Sequence, residues 1–127
     1  MRATFVDTGA WLALVLRNDP LHSRASTYYR KLEQEREPLI ASDYVLTETY
    51  TYLRFAGGAR LAEEARAVFR EAEDANLLRV EWVDKIVADE AWELFINYHG
   101  GNLSFTDCTS VIICHKLSIE TIFAFDS

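Results

Sequence analysis

Four short apolar runs, separated by longer stretches with helical periodicity, constrain the fold of this chain more than any other feature of its sequence. Each run is too short for a helix, and several are rich in Val, Ile and Phe, which favour strands. The predicted strands are Ala3–Asp7, Leu39–Ser42, Leu77–Trp82 and Thr121–Phe125. Because strands that alternate with helices form parallel sheets, we predict an α/β fold with a central parallel sheet and helices on both faces.

The stretches between these runs are predicted helices, and their apolar residues recur at the spacing of one helix face. Gly57 and Gly58 separate two of them, and Asp84 is a plausible N-cap of another. The predicted helices are Gly9–Arg17, Leu21–Glu35, Asp43–Phe55, Leu61–Asp74, Val83–Tyr98 and Ser104–Leu117. The sequence contains no internal repeat or Pro/Ser-rich linker, so we expect a single domain over residues 1–127.

Composition narrows the class of protein. Half of the 127 residues are apolar, which is enough for a core without disulfides. The apolar runs are short and broken by charge, and the N-terminus lacks the long h-region of a secretory signal, so we expect a soluble cytoplasmic protein with no membrane segment. The net charge of −7 disfavours a protein that coats nucleic acid, but bound divalent ions would offset the charge of a nuclease site. An acidic surface would also suit a basic partner protein.

The two cysteines and three histidines give no support for a zinc site. Cys108 and Cys114 are six residues apart in a predicted helix, which places them about 240° apart around its axis and prevents a disulfide between them. We interpret them as small buried hydrophobic residues. Any metal ion in this protein must therefore be held by oxygen atoms.

Most acidic residues, such as Glu33, Glu35 and Glu37, are interpreted as solvated surface. Two acids instead follow predicted strands: Asp7 ends the first, and Asp126 ends the last. In parallel α/β sheets, ligands bind beyond the carboxyl ends of the strands. The alternative for Asp7 is an N-cap of the helix that follows it.

Two further acids lie on predicted helices. Glu48 interrupts an apolar stripe with Val45, Thr49 and Tyr52, so it should face the core and require a cation; a buried ion pair or a side chain that reaches solvent is the alternative. Asp107 begins the last helix, where the pattern Ser104-x-x-Asp107 resembles a capping box. A capping role is compatible with metal binding. Magnesium prefers hard oxygen ligands, so the four acids together are candidates for one site.

The sequence then resembles the PIN-domain nucleases, especially the VapC-type toxins, over essentially all of residues 1–127. The resemblance rests on four segments in the family's order and spacing: Phe-Val-Asp-Thr-Gly-Ala-Trp, Ser-Asp-Tyr-Val-Leu-Thr-Glu-Thr-Tyr, Leu-Ser-Phe-Thr-Asp-Cys-Thr-Ser and Ile-Phe-Ala-Phe-Asp. The third of these, Leu103–Ser110, is the most specific.

The resemblance implies a three-layer α/β/α domain whose acidic pocket cleaves RNA with Mg²⁺ or Mn²⁺. The residues that match the family's catalytic and metal-binding carboxylates are Asp7, Glu48, Asp107 and Asp126. Thr8 and Thr106 flank two of them and are expected to orient the acids or their waters through hydroxyl hydrogen bonds. As a hypothesis, hydrolysis uses one or two ions and no covalent protein nucleophile.

The resemblance also implies a cognate antitoxin protein, and we expect a homodimer. Aromatic residues at helical spacing are more often core or dimer interface than base-stacking platforms, so none is assigned to RNA. The aromatic residues considered are Trp11, Tyr44, Tyr50, Tyr52 and Trp92.

Two departures and three alternatives accompany this interpretation. Ala124 stands where family members often have Thr or Ser, and the sequence ends at Ser127, where they continue to a last strand; we expect the domain to lack that strand. One alternative is a solitary RNA-processing PIN nuclease, and another is a catalytically silent interaction module. The third is an aspartyl-phosphate enzyme or receiver domain, but Asp7-Thr8-Gly9 lacks the second Asp of a dehalogenase motif.

Overall fold

The structure is a computed structural model that describes residues 2–125. It contains four strands and five helices within that range. In chain order they are β1 (Thr4–Val6), α1 (Thr8–Val15), α2 (His22–Gln34), β2 (Leu39–Ser42), α3 (Asp43–Asp74), β3 (Leu78–Glu81), α4 (Lys85–Asn97), α5 (Phe105–Lys116) and β4 (Thr121–Phe123). The four predicted strands are therefore confirmed, with boundaries that differ by at most two residues.

The strands form one parallel sheet in the order β3-β2-β1-β4. From β1 the chain moves in one direction across the sheet to β2 and β3, and then returns past β1 to β4. Because crossovers between parallel strands are right-handed, α1, α2 and α3 lie on one face, and α4 and α5 lie on the other. The contacts between α1 and α3, and between α4 and α5, agree with this arrangement. The predicted α/β/α fold is confirmed.

The core lies where the central strands meet the helices. Phe5, Ile40 and Leu53 are fully buried, and every residue of β1 and β2 is buried. This burial on both faces explains why these two strands are continuous apolar runs instead of alternating patterns. The sheet is consequently a rigid platform for the residues at its carboxyl edge.

Helix α3 consists of two arms. Gly58 lies between them with φ of 82° and ψ of 179°, a conformation that glycine adopts readily because it has no Cβ. Tyr50 on the first arm contacts Phe69 on the second, with 5.9 Å between ring centroids, so the arms fold back against each other. The prediction that Gly57 and Gly58 separate two helices is confirmed.

Side-chain caps fix the starts of three helices. Ser42 Oγ accepts a hydrogen bond from Val45 N at 3.1 Å, and Asp84 Oδ1 accepts one from Val87 N at 2.9 Å. The third cap, at α5, belongs to the candidate site. Each of these bonds satisfies a backbone N–H that the helix itself leaves free.

Among residues 2–125, no helix combines the length and the apolar composition that a membrane span requires.

Candidate active site

The candidate site lies where the direction of the strand crossovers reverses, between β1 and β4. In open α/β sheets a crevice forms at the carboxyl end of the strands at this switch point, because the helices on either side diverge. Asp7 follows β1 directly at this place, and its backbone N–H donates to the Phe123 carbonyl at 3.0 Å. The backbone of Asp7 is thus fixed between the two strands.

The Asp7 side chain is only partly satisfied by the residues that the structure describes. It occupies the N-cap position of α1, as the capping alternative expected, but makes no side-chain capping bond. Its Oδ1 is buried and has no hydrogen-bond partner within residues 2–125. Burial raises the pKa of Asp7, and the charges of Asp107 and Glu48 raise it further, while the Thr8 backbone N–H partly offsets them. The charged form of Asp7 is therefore unfavourable in this site unless a cation or a proton compensates it.

Asp107 reaches the same site from the first turn of α5. Its Oδ2 accepts from Ser104 N at 3.1 Å, and Asp107 N donates to Ser104 Oγ at 3.0 Å. This reciprocal pair is the predicted capping box, which is confirmed. The box holds one carboxylate oxygen at the N-terminus of the helix, and neither of its two bonds involves Oδ1.

Glu48 lies on the first arm of α3, and its predicted orientation toward the core is wrong. Val45 and Thr49 are buried, whereas Glu48 is exposed and Tyr52 is 53% exposed. Thr49 satisfies its hydroxyl within the helix by donating to the Val45 carbonyl at 2.7 Å. Even so, the Glu48 charge raises the pKa of Asp7, which keeps Glu48 a candidate for the acidic site on its solvent-facing side.

The two threonines proposed to support the acids occupy different environments. Thr8 is 7% exposed, and its Oγ1 is buried without a hydrogen-bond partner. Thr106 lines a groove together with Glu48, and its backbone carbonyl accepts from the hydroxyl groups of Thr109 and Ser110 at 2.6 and 3.1 Å. Those two hydrogen bonds stabilise the first turn of α5, next to Asp107.

The fourth predicted acid, Asp126, lies outside the described residues. Three acids thus remain for the test of whether a divalent cation fits. All are hard oxygen donors, and Asp7 contributes a buried oxygen that no hydrogen-bond donor in the described part of the chain contacts. Within residues 2–125, however, no three acidic, His or Cys side chains converge at metal-binding spacing. The chemistry of these donors fits a divalent cation, and Glu48, which is exposed, is free to move toward it.

Cys114 is buried close enough to Asp7 for the Asp7 charge to affect it. The sequence did not reveal this proximity. Burial raises its pKa to about 11, and the Asp7 charge contributes to that increase. Cys108 is also buried, and neither cysteine forms a disulfide. The prediction that both behave as small buried hydrophobic residues is confirmed. A thiol with this pKa is neutral at physiological pH and adds no charge to the site.

Two open grooves lie along the first arm of α3. The first, of about 590 Å³, contains Glu48 and Thr106 with the aromatic residues Tyr44, Tyr52 and Phe55. The second, also about 590 Å³, contains Arg66, Arg70 and Trp82. The sequence predicted neither groove, because both depend on how the second arm of α3 folds back.

Comparisons with known proteins agree with this geometry. The family model described as PIN domain matches residues 4–127. The chain is 33% identical over 123 residues to the 23S rRNA-specific endonuclease VapC20 from two strains of Mycobacterium tuberculosis, covering 96% of this chain and 88% of each relative. The crystal structure of Mycobacterium tuberculosis VapC20, described as a sarcin-ricin loop cleaving toxin, superposes with a TM-score of 0.83 at 32% identity. That match covers 98% of this chain and 90% of the VapC20 chain.

Proposed function

The chain belongs to the PIN-domain family, and on that premise we propose that it is a metal-dependent endoribonuclease and the toxin of a toxin–antitoxin pair. The observation that carries the proposal is Oδ1 of Asp7, which is buried, has no hydrogen-bond partner among the described residues, and lies near the charges of Asp107 and Glu48. An unpaired buried carboxylate is costly, and a divalent cation at this place would offset that cost. The proposed enzyme comprises residues 1–127 as one PIN domain.

PIN nucleases depend in general on divalent metal ions, and we propose Mg²⁺ or Mn²⁺ for this chain. Asp7, Glu48, Asp107 and Asp126 are the proposed ligands, since both ions prefer carboxylate oxygens and retained waters. When bound, such an ion would stabilise the negative charge that develops on the phosphate group during hydrolysis.

The roles of the protein's own groups follow from their environments. The capping box fixes the direction of Asp107, so this acid needs little reorganisation to act as a ligand. Asp7, whose pKa is raised, takes up a proton more readily than an ordinary carboxyl when no cation is bound. Thr8 carries a buried hydroxyl without a hydrogen-bond partner beside Asp7, which supports its proposed role in orienting that acid or a water.

The substrate and partners are proposed from the relatives and from charge. Because its relatives are 23S rRNA-specific endonucleases, we propose ribosomal RNA as the substrate class and the cytoplasm as the location. The cognate antitoxin would carry an arginine that enters among the acids and competes with the cation. We also propose a homodimer, for which the exposed apolar residues Ile86, Trp92 and Ile96 on α4 offer a surface.

RNA cleavage by the purified chain tests the activity. Ribosomal RNA labelled at its 5′ end is incubated with the protein in EDTA, in Mg²⁺ and in Mn²⁺, and the products are separated on a sequencing gel. The proposal predicts cleavage at few positions that requires the added metal. Intact RNA in both metals, or equal cleavage in EDTA, would contradict it.

The toxin assignment needs a separate experiment, because a solitary RNA-processing enzyme would cleave RNA as well. The product of the neighbouring gene is titrated into the cleavage assay at several Mg²⁺ concentrations. An antitoxin whose arginine competes with the cation should inhibit less well as Mg²⁺ rises. Absence of inhibition at every concentration would favour the solitary enzyme.

A further inference from the structure

A groove beside the acidic site contains two arginines that the proposed reaction does not use. This groove, called here the arginine groove, lies between the two arms of α3 and the end of β3. Asp43 and Thr47 line both the arginine groove and the groove that contains Glu48. A strand that lies in the groove containing Glu48 can therefore continue along the first arm of α3 into the arginine groove.

Arg66 and Arg70 are one helical turn apart on the second arm of α3, so their side chains emerge on the same face. Both residues are exposed, and in residues 2–125 no carboxylate forms an ion pair with either. The Arg66 guanidinium lies against the hydroxyl of Tyr50, which also lines the groove. Guanidinium groups placed in this way suit phosphodiester oxygens, which they bind through two parallel hydrogen bonds.

Three acids in the same groove limit what can bind there. Asp43 is occupied by a structural bond, since its Oδ1 accepts from Val83 N at 2.7 Å. Glu73 also lines a separate cavity along β3, and Asp74 ends α3. These acids disfavour a small free anion that fills the whole groove. They are compatible with an extended strand that passes the arginines along the open side.

Trp82 supplies the second kind of contact that such a strand requires. It follows β3 directly and is 74% exposed, and its indole ring packs against no other aromatic ring in the described part of the chain. A large exposed ring at the mouth of a groove is accessible to a ligand that enters the groove. Bases stack on such rings with little dependence on sequence.

We propose that Arg66, Arg70 and Trp82 form a subsite that binds single-stranded RNA next to the cleaved phosphodiester. The two arginines bind successive phosphates, and Trp82 stacks on a base. This inference rests on the proposed ribonuclease function and adds to it the part of the surface that holds the substrate. The subsite acts on RNA affinity, whereas bond cleavage takes place at the acids.

Binding measurements in a cleavage-deficient Asp7→Asn background test the subsite. A fluorescently labelled single-stranded RNA is titrated at several salt concentrations, and Arg66→Gln/Arg70→Gln is compared with Arg60→Gln. Arg60 is a matched control, because it lies on the same arm, is exposed, and pairs with Glu64 outside the groove. The double variant should raise Kd at least about tenfold. It should also reduce the slope of log Kd against log salt by about 1.4, because each lost phosphate contact on a single strand removes about 0.7. Arg60→Gln should change neither quantity.

The aromatic contact and the catalytic step are tested separately. Trp82→Ala should weaken binding, and Trp82→Phe should restore most of it, because both rings can stack. In the active enzyme the double arginine variant should raise KM while kcat at saturating RNA is retained.

Three results would overturn the subsite. In the first, the double variant keeps wild-type Kd and salt slope while the unmodified enzyme cleaves RNA, which leaves the proposed function intact. In the second, RNA binding is unchanged but inhibition by the antitoxin is lost, which would identify a protein-docking surface. In the third, the protein neither binds nor cleaves RNA, which would reject the proposed function as well.

Discussion

Asp7 and Asp107 come from different elements, the end of β1 and the first turn of α5, and yet the charge of Asp107 raises the pKa of Asp7. The fold brings two like charges together at the edge of the sheet. Asp107 is held in place by its capping box, whereas Oδ1 of Asp7 has no hydrogen-bond partner in the part of the chain that the structure describes. Such a pair is unfavourable for stability and useful for cation binding.

The raised pKa of Asp7 predicts how stability depends on pH in metal-free protein. Because folding raises this pKa above its ordinary value, the folded state binds the proton more tightly than the unfolded state. The contribution of Asp7 to stability therefore falls as pH rises from the ordinary pKa through the raised one. Urea unfolding in EDTA should show Asp7→Asn to be more stable than wild type at pH 7, with the difference shrinking at acidic pH. Asp89→Asn, at an exposed position of α4, controls for the loss of one charge. If the unfolding free energy of both variants depended on pH in the same way, the prediction would be contradicted.

The capping box predicts that Ser104 affects stability and activity together. Ser104→Ala removes the acceptor for Asp107 N, which should cost about 1 kcal/mol and free the Asp107 carboxylate to move. Asp84→Ala removes the equivalent cap of α4 and should cost a similar free energy of unfolding. RNA cleavage should fall about tenfold in Ser104→Ala and stay near wild type in Asp84→Ala. Equal activity in the two variants would show that the cap does not position the acid.

A part-buried hydrogen bond at the amino end of the strands, opposite the candidate site, predicts a purely structural effect. Thr4 is fully buried in β1, and its hydroxyl donates to Glu37 Oε2 at 2.9 Å. Glu37→Ala leaves this hydroxyl unpaired and should cost about 1–3 kcal/mol in urea unfolding without a change in kcat/KM. Glu35→Ala, on an exposed residue two positions earlier, should change the free energy of unfolding by less than about 0.5 kcal/mol. A cost below that level for Glu37→Ala would contradict the assignment.

The buried thiols predict low chemical reactivity in the native protein. Cys108 is fully buried, Cys114 is 6% exposed, and the pKa of Cys114 is raised to about 11. Since the thiolate is the reactive form, iodoacetamide at pH 8 should modify neither cysteine in the folded protein and both in urea. Intact mass measurement distinguishes the two cases. Rapid native modification at Cys114 would show that solvent reaches the site behind Asp7.

Much of the fold could be predicted from the sequence, because its strands and helix starts depend on local chemistry. The strand β2 is buried on both faces and therefore appears as a short apolar run. Gly58 marks the turn between the arms of α3 because only glycine adopts its φ readily. The box between Ser104 and Asp107 is set by residues three positions apart. The assignment to the PIN family followed from the same local segments.

The rest depends on tertiary packing. The helical period places Glu48 on the same stripe as Val45 and Thr49, but the packed surface of this arm is narrower than that stripe, so Glu48 is exposed. Glu37 was predicted to be solvated, yet its side chain is only 11% exposed, because it accepts the hydroxyl of Thr4 across the loop before β2. The arginine groove exists only because the second arm of α3 folds back. None of these features has a local signal in the sequence.

The central claim is that Asp7 and Asp107 bind the cation on which RNA cleavage depends, and kcat/KM of their Asn variants in Mn²⁺ tests it most directly. Asp7→Asn and Asp107→Asn keep the size of each side chain and remove its charge, while Asp89→Asn controls for net charge. We predict that kcat/KM falls at least about 100-fold in Asp7→Asn and in Asp107→Asn, which exceeds the usual effect of losing a residue that only supports a metal ligand. Both variants should keep native circular dichroism spectra. Asp89→Asn should keep wild-type activity. Wild-type kcat/KM in either variant, with contaminating nuclease excluded, would contradict the account.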